Sequence, residues 1–178
     1  MGAMIASLRR TGILAGLLAL GALAPAFAID LPARWKFSTI DDPAFANPGY
    51  DDRDWKDLSA DKTWMDQGVV HEGFAWYRTK VILSSAEKAR ALKTGSVLLH
   101  LGKVDDADQT YFNGTLVGET GTLPPEYESA WGTPRNYFID ASLVRWDAEN
   151  VIAVRVYTGD PNGGLYDKGP RSLAAALW

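Results

Sequence analysis

Residues 99–118 read LHLGKVDDADQTYFNGTLVG. Val97, Leu99 and Leu101 alternate with polar or less apolar positions, the period of a strand with one face in a core. Gly102 ends that run, and Asp105, Asp106 and Asp108 then crowd three carboxylates into four positions. Thr110, Tyr111 and Phe112 lead into Asn113-Gly114. Both central residues of a type I′ turn need positive φ, so this pair predicts a tight hairpin. Leu116 and Val117 carry the chain back. The stretch predicts strand, acidic corner, strand, turn and strand in succession.

Working outward, the flanking segments give more strands. Upstream, residues 34–38 form a first strand with Trp35 and Phe37 as aromatic anchors on opposite faces. Residues 41–53, rich in Asp, Pro, Gly and Asn, form a surface loop, and 54–58 a short edge strand. The loop 64–73 holds His71 and Glu72. From Phe74 to Leu83 the alternation is clear: Tyr77, Thr79, Val81 and Leu83 share one face, Arg78 and Lys80 the other. Downstream, residues 84–94 are the one place for a helix, with Ser85 as cap and Gly95 as stop. A long loop fills 120–134, strands follow at 137–139 and 150–157, and a glycine-rich loop at 159–169 precedes a last strand at 173–177. Trp35, Trp55 and Trp76 belong to strand-like segments and are expected in the core. Many short strands and little helical period predict an all-β chain folded as an antiparallel β-sandwich or jelly roll.

The N-terminus carries an address. Arg9 and Arg10 precede an apolar run over residues 12–23, and Ala26-Phe27-Ala28 supplies a small-x-small cleavage site. The run is too short to span a bilayer of about 30 Å. Residues 1–28 are therefore expected to be a removed signal peptide, with residues 29–178 a single domain exported to the periplasm or beyond. Thr11-Gly12 fits a twin-arginine signal poorly, which favours ordinary secretion. The whole chain has 18 basic and 22 acidic residues, net −4. Loss of Arg9 and Arg10 makes that −6, with no basic cluster in the sequence, which argues against nucleic acid and, once the signal is cleaved, against membrane. There is no cysteine, so stability rests on packing, to which seven tryptophans and seven tyrosines contribute.

The order of motifs is that of a known module. Trp35-x-Phe37, Tyr50-Asp51-Asp52-x-x-Trp55, Gly73-Phe74-Ala75-Trp76-Tyr77-Arg78, Leu101-Gly102-x-Val104-Asp105-Asp106-Ala107-Asp108, Tyr111-Phe112-Asn113-Gly114, Val117-Gly118, the run Asn150 to Val156 and Gly163-Gly164 follow one another. Together they resemble the sugar-binding, galactose-binding-like jelly-roll domain of glycoside hydrolase family 2, a module also found in bacterial sialate O-acetylesterases. The resemblance covers roughly residues 31–173. It implies a non-catalytic sandwich of about eight strands that binds glycan or supports a hydrolase. In that family the catalytic glutamates lie on a separate (β/α)₈ barrel of about 250 residues, for which a chain ending at Trp178 leaves no length. Two further readings stay open. The chain is the front of a β-galactosidase-, β-glucuronidase- or acetylesterase-like enzyme, or it is a protein-docking sandwich without a sugar ligand.

The residues themselves mark no catalytic set. Asp105, Asp106, Asp108, Glu119, Glu126 and Glu128 supply carboxyls, but their spacing singles out no acid and nucleophile. There is no G-x-S-x-G elbow, and His71 and His100 with no cysteine make no zinc site. His100 is expected packed in its strand, and His71 solvated. No cofactor is expected, with structural calcium at the acidic corner as the alternative. The corner has three readings: a hydrogen-bonded structural turn paired to Arg78, Arg135 or Arg155, a set of sugar contacts, or that calcium site. Trp131, in a loop bounded by Gly132, Pro134 and Arg135, either stacks on a pyranose or pins its own loop. The candidate carbohydrate surface is Asp105, Asp106, Asp108, Asn113, Trp131 and Arg135, with Asn113 serving the turn first.

Overall fold

The computed structural model describes residues 28–175, so all but the last residue of the expected leader lies outside the described residues. Two antiparallel sheets face one another across an apolar core. The first runs, edge to edge, through β3 (Lys56–Ser59), β2 (Arg34–Ser38), β4 (Gly73–Ile82), β9 (Glu149–Thr158), β6 (Ala107–Phe112) and β7 (Thr115–Thr120). The second is built on β5 (Ser96–Asp105), with β8 (Pro134–Asp140) along one edge and β11 (Ser172–Ala175) along the other. Outside β11 lies β1 (Ala28–Asp30), and the two-residue β10 (Gly164–Leu165) meets the end of β5. The all-β sandwich expected from the alternation is the observed fold. Short marginal strands such as β1 and β10 bring the described strands to eleven, above the eight implied by the resemblance.

Local chemistry explains the elements. The hairpin of β6 and β7 closes on Asn113 (φ 50°) and Gly114 (φ 88°), both in the region a type I′ turn demands. In β4 the residues facing inward are Tyr77, Thr79 and Val81, all buried, and its ten-residue register with β9, from Gly73↔Thr158 to Ile82↔Glu149, makes this pair the spine of the first sheet. The helix expected over 84–94 is a 3₁₀ turn (Ser85–Glu87) followed by α1 (Lys88–Thr94). Ser84, not Ser85, provides the capping oxygen, which accepts from the Ala86 amide at 3.2 Å, and Gly95 stops the helix at φ 78°.

Two packing results depart from the sequence reading. Trp35 and Phe37 are both buried in the main core; two positions apart on a strand they share a face, not opposite ones. Trp76 is also fully buried, but on the outer face of the first sheet. There it forms a second, smaller core with Phe45 and Ala153, bordered by the partly buried Tyr50, Trp55 and Tyr111. The loop of residues 41–55 folds over that face and covers it. Trp64, by contrast, lies in the main core, where its indole N–H donates to the Pro161 carbonyl at 2.7 Å.

Candidate functional site

The acidic corner between β5 and β6 meets two loops, 121–133 and 159–171, and each of its carboxylates sits in a different environment. Asp108 is 1% exposed and Arg135 fully buried. Arg135 Nε donates to Asp108 Oδ1 at 2.8 Å, while Thr110 and Tyr137 hydroxyls donate to Oδ2 at 2.8 and 2.9 Å. The remaining nitrogens of Arg135 donate to backbone carbonyls: Nη1 to Ala130 and Thr133, and Nη2 to Asp106 at 2.7 Å. Burial pushes the Asp108 carboxyl up despite the guanidinium beside it. A buried ion pair whose every polar atom is met acts as a rivet, here fastening the 121–133 loop to the sandwich.

Asp106 is the second rivet. Tyr127 Oη donates to its Oδ2 at 2.6 Å, Thr158 Oγ1 and the Gly159 amide donate to the same oxygen at 3.2 Å each, and Ser129 Oγ donates to Oδ1. Burial alone would raise this carboxyl, but the bonds from Asp105, Ser129, Tyr127 and the Gly159 amide prevail and hold it at about 2. Asp105 is the opposite case. Half-buried, hydrogen-bonded to Asp106 and facing Asp160 as well, it is pushed up to about 7, with Arg135 only partly offsetting the rise. The adjacent carboxyls thus titrate far apart, Asp105 holding a proton at acid pH where Asp106 holds none.

What the rivets hold outward is Trp131, whose side chain is 60% exposed. Its backbone carbonyl accepts from Tyr166 Oη at 2.7 Å, which ties the 121–133 loop to the glycine-rich loop. On the same loop the exposed Tyr127 packs edge-on to Tyr157 at 5.0 Å, and Tyr157 in turn to Phe74 at 4.9 Å. Arg155 lies over the Phe74 ring at 3.9 Å. Of these rings Tyr127 is exposed and Tyr157 and Phe74 partly buried, so Trp131 and Tyr127 are the aromatic surfaces this loop offers to a ligand with apolar faces and polar edges.

Of the six residues singled out in the sequence, the structure gathers five at this corner. Asp105 and Trp131 reach solvent; Asp106, Asp108 and Arg135 are inside and committed to protein partners. Asn113 lies at the far end of β6, about 17 Å of strand away. Its Nδ2 donates to the Leu143 carbonyl and to Asn150 Oδ1, and its Oδ1 accepts from the Val151 amide. It ties the hairpin to β9. Tyr127, Tyr157 and Phe74 escaped sequence reasoning because nothing in their spacing reveals that three separate segments align their rings. Among the described residues no group of three or more His, Asp or Glu side chains is arranged to hold a metal ion. His100 is partly buried with Nδ1 2.6 Å from Asn136 Oδ1. His71, expected in solvent, is partly buried, edge-on to Trp64 with Nε2 2.8 Å from the Phe74 carbonyl.

With this geometry in view, comparison with known proteins becomes informative. No family model matches the chain. The β-galactosidase BoGH2A of Bacteroides ovatus is 26% identical over 151 residues, which cover 77% of this chain but 16% of that protein. The chain thus spans about one sixth of that curated relative. Among solved structures, the β-glucuronidase of Bacteroides uniformis superposes with a TM-score of 0.66 at 22% identity, over 84% of this chain and 18% of that one. A β-glucuronidase from glycoside hydrolase family 2 gives 0.64 at 18% identity, over 83% and 17%. The β-glucuronidase of Ruminococcus gnavus gives 0.63 at 14% identity, over 84% and 29%. Each match is to part of a glycoside hydrolase, and the shared part is this β-sandwich. The resemblance carried by the motifs therefore stands, and the chain shares its fold with a β-sandwich part of these enzymes.

Proposed function

We propose that this chain is an exported, non-catalytic carbohydrate-binding domain of the family 2 sugar-binding type, acting on its own or beside a glycoside hydrolase catalytic domain. The observation that carries the reading is Trp131, an exposed indole on a loop held rigid from beneath by the Asp106 and Asp108–Arg135 rivets. Such a site loses little entropy on binding, since the loop is ordered before the ligand arrives. In this reading Trp131 and Tyr127 stack on pyranose faces, Asp105 meets ring hydroxyls, and Asp106, Asp108 and Arg135 position the loop without touching sugar. No catalytic step is assigned, because the two carboxyls with divergent protonation are adjacent in the chain rather than disposed across a cleft.

Calorimetric titration of the full chain with neutral galactosides and glucosides and with glucuronides tests this. Binding with a Kd in the micromolar to millimolar range is expected, weakened about tenfold in Trp131→Ala, on the scale of one lost stacking contact. Absence of binding by every glycoside at millimolar concentration removes the carbohydrate assignment and leaves the fold. Co-purification with a barrel enzyme in that case would instead mark a docking sandwich.

A further inference from the structure

A groove of about 410 Å³ crosses the outer face of the first sheet, away from the elements that carry Trp131. Arg34, Lys36, Arg53, Arg78 and Lys80 line it, against the carboxylates of Asp52 and Asp57 alone. This concentration of cations sits in a chain whose net charge is −4. It was invisible in the sequence because the five residues come from β2, β4 and the 47–55 loop.

The strand register makes the arrangement unusual. Lys36 lies directly across from Arg78. Arg34 and Lys80 also line the groove, beyond the end of that paired register. Like charges facing one another across a ladder destabilise a sheet, so the Lys36–Arg78 pair needs a compensating partner. Part of it is internal. Asp52 accepts from Arg78 Nε at 2.7 Å, Lys36 pairs with Asp57 at 3.3 Å and Lys80 with Glu149 at 2.9 Å, and Arg53 grips Asp51. Arg34 donates only to a backbone carbonyl, that of Asp57, at 2.6 Å. The pairs of Lys80 and Arg53 are solvent-exposed and exchange readily for a better anion. At the floor, Arg78 is fully buried, and its Nη2 is enclosed with no hydrogen-bond partner. That nitrogen is sealed from the groove, so the cations the groove presents to a ligand are those of the exposed Arg34, Arg53 and Lys80.

We propose that this groove binds the anionic groups of an acidic glycan, carboxylate or sulfate carried along a polysaccharide chain. The proposal rests on the carbohydrate reading for the nature of the chain and on the groove for its charge. An overall negative protein disfavours polyanions in general, so the choice of a glycan over nucleic acid follows from the carbohydrate reading.

The test uses the full chain at low ionic strength, with polygalacturonate as the carboxylate probe, dextran sulfate as the sulfate probe, and dextran and single-stranded DNA as controls. Binding is expected for one or both acidic glycans and not for dextran; which of the two binds more tightly identifies the anion. The double variant Arg34→Ala/Lys80→Ala should weaken that binding about tenfold, as loss of two rim charges does, and should melt close to the native chain because both side chains are exposed and make only surface contacts. Trp131→Ala should leave it unchanged. Failure of both acidic glycans to bind, equal binding by the double variant, or single-stranded DNA binding as tightly overturns the proposal. Loss of neutral glycoside binding with polygalacturonate or dextran sulfate binding intact overturns the Trp131 site alone.

Discussion

Arg135 and Arg78 are both fully buried, and each fastens a loop to the sandwich by the same device. In both, Nε donates to an aspartate carboxylate and Nη1 to two backbone carbonyls of the loop. They differ at the last nitrogen. Arg135 spends Nη2 on the Asp106 carbonyl, whereas Arg78 Nη2 has no partner. Their aspartates differ as well. Asp108 is nearly sealed and takes two further hydroxyl donors, while Asp52 sits at the wall of the groove. A saturated arginine is a fastener and nothing else. An arginine whose last nitrogen is enclosed without an acceptor is a fastener left one bond short.

The sharpest way to break this comparison is to remove each arginine in turn. Arg135→Met strands a carboxylate that is 1% exposed and frees three carbonyls. It should cost about 3–5 kcal/mol, a fall on the order of 10 °C in Tm, and expose residues 121–133 to proteolysis. Arg78→Met leaves its aspartate at the groove, where water reaches it, and frees two carbonyls, so about 2–4 kcal/mol is expected. Urea unfolding of both variants decides the order, and an Arg78→Met variant less stable than Arg135→Met would invert the account of which pair is sealed.

A smaller effect probes how the saturated clamp is assembled. A Cβ at Gly118 would lie 2.0 Å from Tyr137 Cδ1. The absence of a side chain lets the Tyr137 ring lie on β7, and from there its hydroxyl reaches Asp108 and Thr120. Gly118→Ala should therefore cost about 1–3 kcal/mol by overpacking. Paired with Tyr137→Phe it should cost less than the sum, because both changes act on one hydroxyl. Additive losses in a double-mutant cycle would detach Gly118 from the clamp.

How much of this was legible beforehand follows from range. The β6–β7 hairpin was legible because Asn113-Gly114 specifies it within two residues. The partner of the acidic corner was legible in kind, since a buried aspartate demands a cation and Arg135 was among three available. The outer face of the first sheet was not. Asp41 accepts from the Trp76 indole at 2.9 Å and from Arg155 Nε at 2.8 Å, across separations of 35 and 114 residues. No periodicity carries such a contact. For the same reason Arg78 read only as sharing a face with Lys80: alternation gives the face of a strand, not whether a loop will fold over it. That Asp105, Asp106 and Asp108 share one corner could be read from their spacing; which of them would be sealed depended on residues 127–135 closing above.

The smallest expected effect concerns the one member of the corner left half-open. Asp105 is raised to about 7 by burial and by the neighbouring Asp106 and Asp160 carboxylates, whereas Asp106 is held at about 2. An aspartate raised in the folded state stabilises it while protonated. That contribution is complete below its unfolded value near 3.8 and fades as pH climbs through 7. The depressed Asp106 works in the other direction: its contribution is present above 3.8 and is lost as pH falls toward 2. Of these two carboxyls only Asp105 changes state between pH 5 and 8, and its contribution should lower Tm by roughly a few degrees over that interval. Asp105→Asn cannot ionise, and its amide can donate to Asp106 as the protonated carboxyl does. The decline should flatten in that variant, while the loss below pH 4, to which Asp106 contributes, should persist. An unchanged slope between pH 5 and 8 in Asp105→Asn would place the titrating group elsewhere and leave the corner a plain fastener, like Arg135 itself.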